Sequence, residues 1–332
     1  SKLTAITLPK SLKAIGRRAF SGCGFTEFVI PDAITTINDY LFESCSNLQD
    51  VTFPKTLQHI GKGIFRNCGF NQYSLPKEIN VITDEMFSEC YNLGQITLHE
   101  GVTSIGKNAF SYCQNMTGIN IPTSVTTIEE GAFLHSALKE VNLPDGITEI
   151  ADNAFAFCEN LSNLHLPAEL QRIGKATFEG CYRLSKVEIP SKVTEIGEFA
   201  FYKTTQNGED LVLPASLKTI GQYAFAETFY KTIHAYMTEP VALSEYDFDP
   251  YYIPNIKLYV PKGTAQKYRE AIVWKDFDIV EMDLSGIQGT TAGDTVKEVA
   301  RYDENGHRLT VPTKGMNIVR YSDGTTKKII VE

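Results

Sequence analysis

Residues Leu161 to Cys181 read LSNLHLPAELQRIGKATFEGC, and residues Leu3 to Cys23 read LTAITLPKSLKAIGRRAFSGC. The shared skeleton is L-x-x-I/L-x-L-P-x-x-L-x-x-I-G-x-x-A/T-F-x-x-C. Its phenylalanine recurs along the chain as Phe20, Phe42, Phe65, Phe87, Phe110, Phe133, Phe155, Phe178, Phe201 and Phe225, at steps of 22 to 24 residues. A fixed period of this length is the sequence mark of a solenoid. One such unit cannot bury its own apolar face, whereas stacked units can.

Within a unit, alternating apolar and polar residues such as Leu3, Ile6 and Leu8 predict a short strand with one buried face. Proline follows in most copies, for example Pro9, Pro31, Pro122 and Pro214, with His99 in its place once. Lacking an N–H, proline ends pairing on that strand. The compact A-F-x-x-C segment predicts a helical turn. Twelve strands are expected, the last at Lys257–Val260, each pairing with the next at about 4.8 Å to give a sheet roughly 55–60 Å long.

There are seven cysteines, all three residues after a repeat phenylalanine: Cys23, Cys45, Cys68, Cys90, Cys113, Cys158 and Cys181. Ser136, Thr204 and Thr228 take the remaining places. Substitution by small residues indicates a ladder of small buried side chains, without disulfides. No C-x-x-C pair occurs, so no metal site is expected, and nothing in the chain calls for a cofactor.

The 332 residues carry a formal net charge of −9 and no basic tract, which argues against nucleic acid and anionic membranes as partners. No apolar run is long enough to insert in a membrane, and no signal peptide is visible. The chain opens at Ser1-Lys2-Leu3 inside a repeat strand, so the expectation is a mature or trimmed chain whose leader has been removed. Four segments are expected: repeats over 1–236, a capping unit over 237–283, a linker rich in Gly, Ser and Thr over 284–299, and a small all-β module over 300–332 with turns at Asn305-Gly306 and Asp323-Gly324.

The skeleton LPxxLxxIGxxAFxxC resembles the BspA-like leucine-rich repeats, also called the Treponema pallidum type, over residues 3 to about 283. KLYVPKGTAQKYREAIVWKDF, from Lys257, resembles the terminal unit such arrays carry. The C-terminal tail is similar to modules of exported Bacteroidetes proteins, including sorting domains, and Asp294-Thr295-Val296 is similar to their O-glycosylation signal. The resemblance implies a right-handed leucine-rich-repeat-like solenoid with a parallel β-sheet and short helical turns. It implies a secreted or surface-displayed, non-enzymatic protein that binds host or bacterial surface proteins or glycans, and it supplies no catalytic residues. The alternative is a structural spacer on the cell surface.

Outward strand positions are where such a ligand would sit. In the second half of the array Glu140, Asn142, Asn163, His165, Lys186 and Glu188 bring charged, amide and imidazole groups onto adjacent rungs. The competing site is an aromatic platform of Tyr246, Phe248, Tyr251 and Tyr252. Catalysis is not expected: His165 and His234 lie three rungs apart, roughly 15 Å, too far for one metal ion. His165 and Glu188 share the face with no serine or cysteine nucleophile.

Overall fold

The computed structural model describes residues 3–204 and 209–282, together with strands Glu298–Tyr302, Arg308–Leu309, Gly315–Tyr321 and Thr326–Val331. The linker with Asp294-Thr295-Val296, both Asn-Gly and Asp-Gly turns, and most of the insertion at 204–210 lie outside the described residues. The chain divides into two compact units, residues 1–282 and 283–332.

The first unit is a β-solenoid with parallel pairing. Three-residue strands on this face bury or half-bury their middle residue and expose its neighbours, as in Gln72–Ser74, Glu140–Asn142 and Asn163–His165. Rungs stack in register: Glu27 lies beside Asp50, Gln72 beside Gln95, and Glu140 beside Asn163. The long face is not one continuous sheet. It runs as three two-stranded pairs and then a four-stranded sheet ending in Lys257–Pro261 and Asp278–Met282. After each strand the chain reverses in a turn whose acceptor is the proline carbonyl, as in Leu12 N–H to Pro9 O at 3.0 Å and Leu170 N–H to Pro167 O at 3.1 Å. His99 replaces the proline and sets its ring Nε2 3.2 Å from the Pro76 carbonyl of the rung before. A second ladder of two-residue strands follows, such as Glu149–Ile150, Arg172–Ile173, Glu195–Ile196 and Thr219–Ile220. Two residues are too few to show alternation, which is why the sequence reads there only as an apolar pair.

The segment around the repeat phenylalanine is not a helical turn. It is a run of tight turns in which alternate amides bond locally and to the next rung. Ser21 N–H reaches Arg18 O at 3.0 Å, while Phe20 N–H reaches Leu41 O at 3.1 Å. This alternation requires left-handed backbone two residues before and two after the phenylalanine. Glycine fills the site at Gly22, Gly63, Gly131 and Gly180, and asparagine at Asn67, Asn108 and Asn153. Elsewhere residues with a real φ penalty occupy it, including Tyr40, Tyr112, His135, Phe157, Phe199 and Tyr223.

The core is the ring ladder. Phe20 to Phe225 are all buried, and successive rings stack at centroid spacings of 5.1–6.1 Å. Phe248 continues the series, 5.3 Å from Phe225 and 2 % exposed. It therefore belongs to the core and not to an exposed platform. Its context, Tyr246-Asp247-Phe248, lacks the Ala and Cys that identify the other copies. Buried Asp247 takes the alanine place. Its carboxylate accepts from the Tyr223 and Ser244 amides and the Ser244 hydroxyl at 2.7–2.9 Å.

Past the last ladder ring a short helix, Ala265–Glu270, and a 3-10 turn, Trp274–Asp276, cover the end. Trp274 is fully buried against Phe248 and Phe277, and its Nε1 donates to Val241 O at 2.7 Å. Tyr268 Oη donates to Met237 O at 2.8 Å. Both large side chains thus bury their rings while satisfying their single donors. The second unit contributes a four-stranded antiparallel sheet in the order Arg308–Leu309, Glu298–Tyr302, Gly315–Tyr321, Thr326–Val331.

Candidate binding surfaces

Glu140, Asn142, Asn163 and His165 stand exposed on two paired strands, Glu140 beside Asn163 and Asn142 beside His165. Lys186 and Glu188 are exposed on the following rung, where the backbone is extended but not part of a strand. They form an ion pair at 2.9 Å. With both side chains more than half exposed, such a pair contributes little to stability, so the rung is free to exchange it for contacts to a ligand. The result is an exposed polar surface spanning three rungs.

The three tyrosines separate into two aromatic groups. Tyr246 stacks on Tyr223 at 5.3 Å, and Tyr223 on Phe199 at 4.9 Å. Tyr251 and Tyr252 meet edge to face at 5.1 Å, and Tyr252 touches Phe229 at 5.2 Å. Tyr251 is the most exposed large hydrophobic residue described, at 79 %.

The thiol ladder lies inside. All seven cysteines remain thiols; six are buried and Cys23 is half-buried. Each of the six donates its S–H to the carbonyl of the repeat phenylalanine one rung earlier: Cys45 to Phe20, Cys68 to Phe42, Cys90 to Phe65, Cys113 to Phe87, Cys158 to Phe133 and Cys181 to Phe155, at 3.1–3.3 Å. Thr204 bonds the phenylalanine carbonyl of its own rung instead. Burial pushes the thiols of Cys90 and Cys158 up to about 12 and raises Cys68, Cys113 and Cys181 well above the usual range. A thiolate is the reactive form, so this column is chemically quiet. Among the described residues no group of three or more His, Cys, Asp or Glu converges as metal ligands would.

The turn face holds surfaces that strand-based reading missed. In its first half Arg66 bridges Glu43, Glu85 and Glu89 at 2.5–3.7 Å, and Arg18 pairs with Glu43 at 3.1 Å. Tyr112, His135 and Phe157 stack at 4.8 and 4.7 Å in one left-handed column. Gly180 closes that stack: a Cβ there would stand 2.6 Å from the Phe157 ring. The signal was present in the sequence, as aromatic residues recurring at the repeat step two places from the phenylalanine.

A family model described as the BspA type leucine rich repeat region matches residues 13–139 and 103–231 with six copies. The chain belongs to the BspA-type leucine-rich repeat family. Solved structures with similar chains include a leucine-rich repeat protein from Bacteroides ovatus, 20 % identical over 83 % of each chain, with a TM-score of 0.38. The pneumococcal vaccine antigen PcpA is 17 % identical over 78 % of this chain and 80 % of its own, with a TM-score of 0.47. The leucine-rich repeat protein of T. pallidum is 26 % identical over 55 % of this chain and 79 % of its own, with a TM-score of 0.39. No curated protein matches the chain. BspA-type arrays are in general non-enzymatic binding scaffolds, and among the described residues no helix is long and apolar enough to cross a membrane.

Proposed function

We propose that this BspA-type array is an exported or cell-surface adhesion module that binds proteins or glycans on host or bacterial surfaces. Family membership over residues 13–231 is the observation that carries the reading. The physical support is a division of labour within each rung: ladder and strand-centre residues hold the solenoid, and the exposed flanking positions vary freely. The sheet-face patch of Glu140, Asn142, Asn163, His165, Lys186 and Glu188 is the proposed contact surface. It is polar and exposed, so it supplies orientation and specificity with modest affinity, and multivalent display raises avidity.

The test is a binding screen of the whole chain against extracellular-matrix proteins, bacterial cell surfaces and glycan arrays, with a Glu140→Ala/His165→Ala/Glu188→Ala variant beside it. Binding that weakens in the variant is the expected result. Absence of any ligand, together with an unchanged phenotype when the repeats are exchanged for an unrelated rod, would establish a spacer instead.

A further inference from the structure

The turn face near the end of the ladder carries a second surface. Phe199, Tyr223 and Tyr246 form one stack with planes within 4–12° of parallel. Tyr202 meets Phe199 edge to face at 5.4 Å. Phe199 and Tyr223 sit at φ 58° and 60°, where a non-glycine side chain costs about 1–2 kcal/mol. Glycine or asparagine occupies the equivalent place as Gly63, Asn108, Gly131 and Asn153 without that cost, whereas Arg18, Tyr40, Glu85 and Ala176 bear it too. Burial does not fully offset it, because Phe199 and Tyr223 are only partly buried and Tyr246 is 50 % exposed. The same conformation recurs in every rung from Phe20 to Phe225 and follows from the stacking; what marks this edge is that aromatic rings occupy three successive rungs and end at a half-exposed Tyr246.

The neighbours identify the ligand chemistry. Lys175 lies over Phe199 at 6.0 Å and pairs with Glu198 at 2.7 Å. Lys203 lies over the Tyr202 ring at 5.0 Å and pairs with Glu227 at 3.6 Å. Tyr202 Oη donates to Glu227 at 2.6 Å, and Glu245 adjoins Tyr246 in the chain. The rings along this edge thus already attract cations, and Glu198, Glu227 and Glu245 outnumber the two lysines. A glycan chain is the poorer fit. Successive sugars stack on successive ring faces, and here the faces inside the stack are covered by one another and by Lys175. Tyr246, the last ring, is the member left half exposed, and it adjoins Glu245 in the chain.

We propose that this aromatic and acidic edge is a second contact surface, one that takes a protein segment presenting arginine. The guanidinium plane stacks against Tyr246, which ends the column, its N–H groups bond the adjoining Glu245 carboxylate, and Glu198 and Glu227 along the same edge add to the attraction for further cationic side chains of the segment. The proposal rests on the reading of the array as a binding module but not on the sheet-face patch.

The test titrates the whole chain with nona-arginine and nona-lysine peptides at physiological salt. Simple charge attraction treats the two alike, whereas stacking favours arginine; the expected preference is about fivefold. In Tyr223→Asn/Tyr246→Asn the preference disappears while weak charge-driven binding stays, with an unchanged melting curve showing that the fold is intact. Glu227→Gln/Glu245→Gln weakens both peptides. Equal affinities in the parent, or a preference that survives the tyrosine changes, would overturn the assignment. Binding of a neutral β-linked oligosaccharide that is lost in the tyrosine variant would overturn it in favour of a glycan. Failure here with sheet-face binding intact leaves the adhesion reading standing; an arginine preference in a chain whose array is replaceable by a rod removes the adhesion reading alone.

Discussion

At the scale of single residues, the ladder shows which polar groups the core accommodates. A thiol fits beside each phenylalanine because it is small, apolar enough to bury, and still a donor for a carbonyl with a spare lone pair. Tyr73 breaks this economy. It replaces the usual aliphatic residue at a strand centre, packs among Phe65, Phe70 and Phe87 at 4.7–5.5 Å, and leaves its buried hydroxyl with no partner. An unsatisfied buried hydroxyl costs roughly 1–3 kcal/mol. Tyr73→Phe keeps the ring and removes the orphan oxygen, so chemical denaturation should show a gain of about 1 kcal/mol or more. A loss would mean that the hydroxyl is satisfied in solution.

His135 makes a pH-dependent contribution. Burial between Tyr112 and Phe157 lowers its pKa below the ordinary value of 6.5, opposed by the Glu159 charge. The folded chain therefore binds a proton less readily than the unfolded one. Its stabilising contribution is complete above about pH 6.5 and is lost as pH falls through that value toward the lower folded pKa. The parent should lose more stability between pH 7 and pH 5 than a His135→Phe variant, which keeps the stack without a titrating group. Parallel thermal melts across that range decide it; identical slopes would remove His135 as the cause.

At the scale of the element, the corner glycines and the face glycines differ in kind. A Cβ on Gly221 would stand 2.3 Å from the Glu198 amide nitrogen, whereas Gly118 on the sheet face has nothing within 4 Å. Backbone cannot yield as a side-chain tip can. Gly221→Ala should therefore cost about 1–3 kcal/mol or more, and Gly118→Ala should be neutral or stabilising by up to about 1 kcal/mol. Equal effects in denaturant titrations would contradict this account of the corner. The contrast also shows what was legible in the sequence. The I-G dipeptide repeats visibly in six rungs, and in five of them, all but that of Gly16, a Cβ would meet the rung before at 2.3–2.7 Å; Asn38, Thr83, Glu129 and Ala151 stand at the corner in the other rungs. The left-handed sites do not repeat visibly, because Glu85, Tyr112, Lys203 and Ala176 all adopt the conformation that glycine adopts elsewhere. There the stacked rungs dictate the backbone and residue type follows weakly. The aromatic stacks could thus be found only by aligning columns off the strand, and the paired strands of the sheet-face patch by reading along it.

At the scale of the molecule, the array is quasi-one-dimensional and each rung contacts chiefly its neighbours, the Tyr40 hydroxyl reaching past one rung to Glu85. Ten ring contacts link Phe20 to Phe248. Phe110→Ala or Phe155→Ala removes two of them and opens a cavity, at an expected cost of about 3–5 kcal/mol. Because the interruption is local, the denaturation curve should also broaden, as the two flanks lose cooperativity. A cost under 1 kcal/mol at both positions would show that the rings do not hold the stack. The period made this much readable from the chain alone, while Phe248 escaped notice because its neighbours serve the capping segment.

The one-way hydrogen bond of each thiol to the rung before it bears on how such a chain changes its length over generations. A staple made by two cysteines ties rungs together in couples, so gain or loss of a single unit strands a partner. Here every thiol-bearing unit brings its own donor and its own acceptor. Recombination between such copies can add or delete one rung at a time, odd or even, and both new junctions find the same bond waiting.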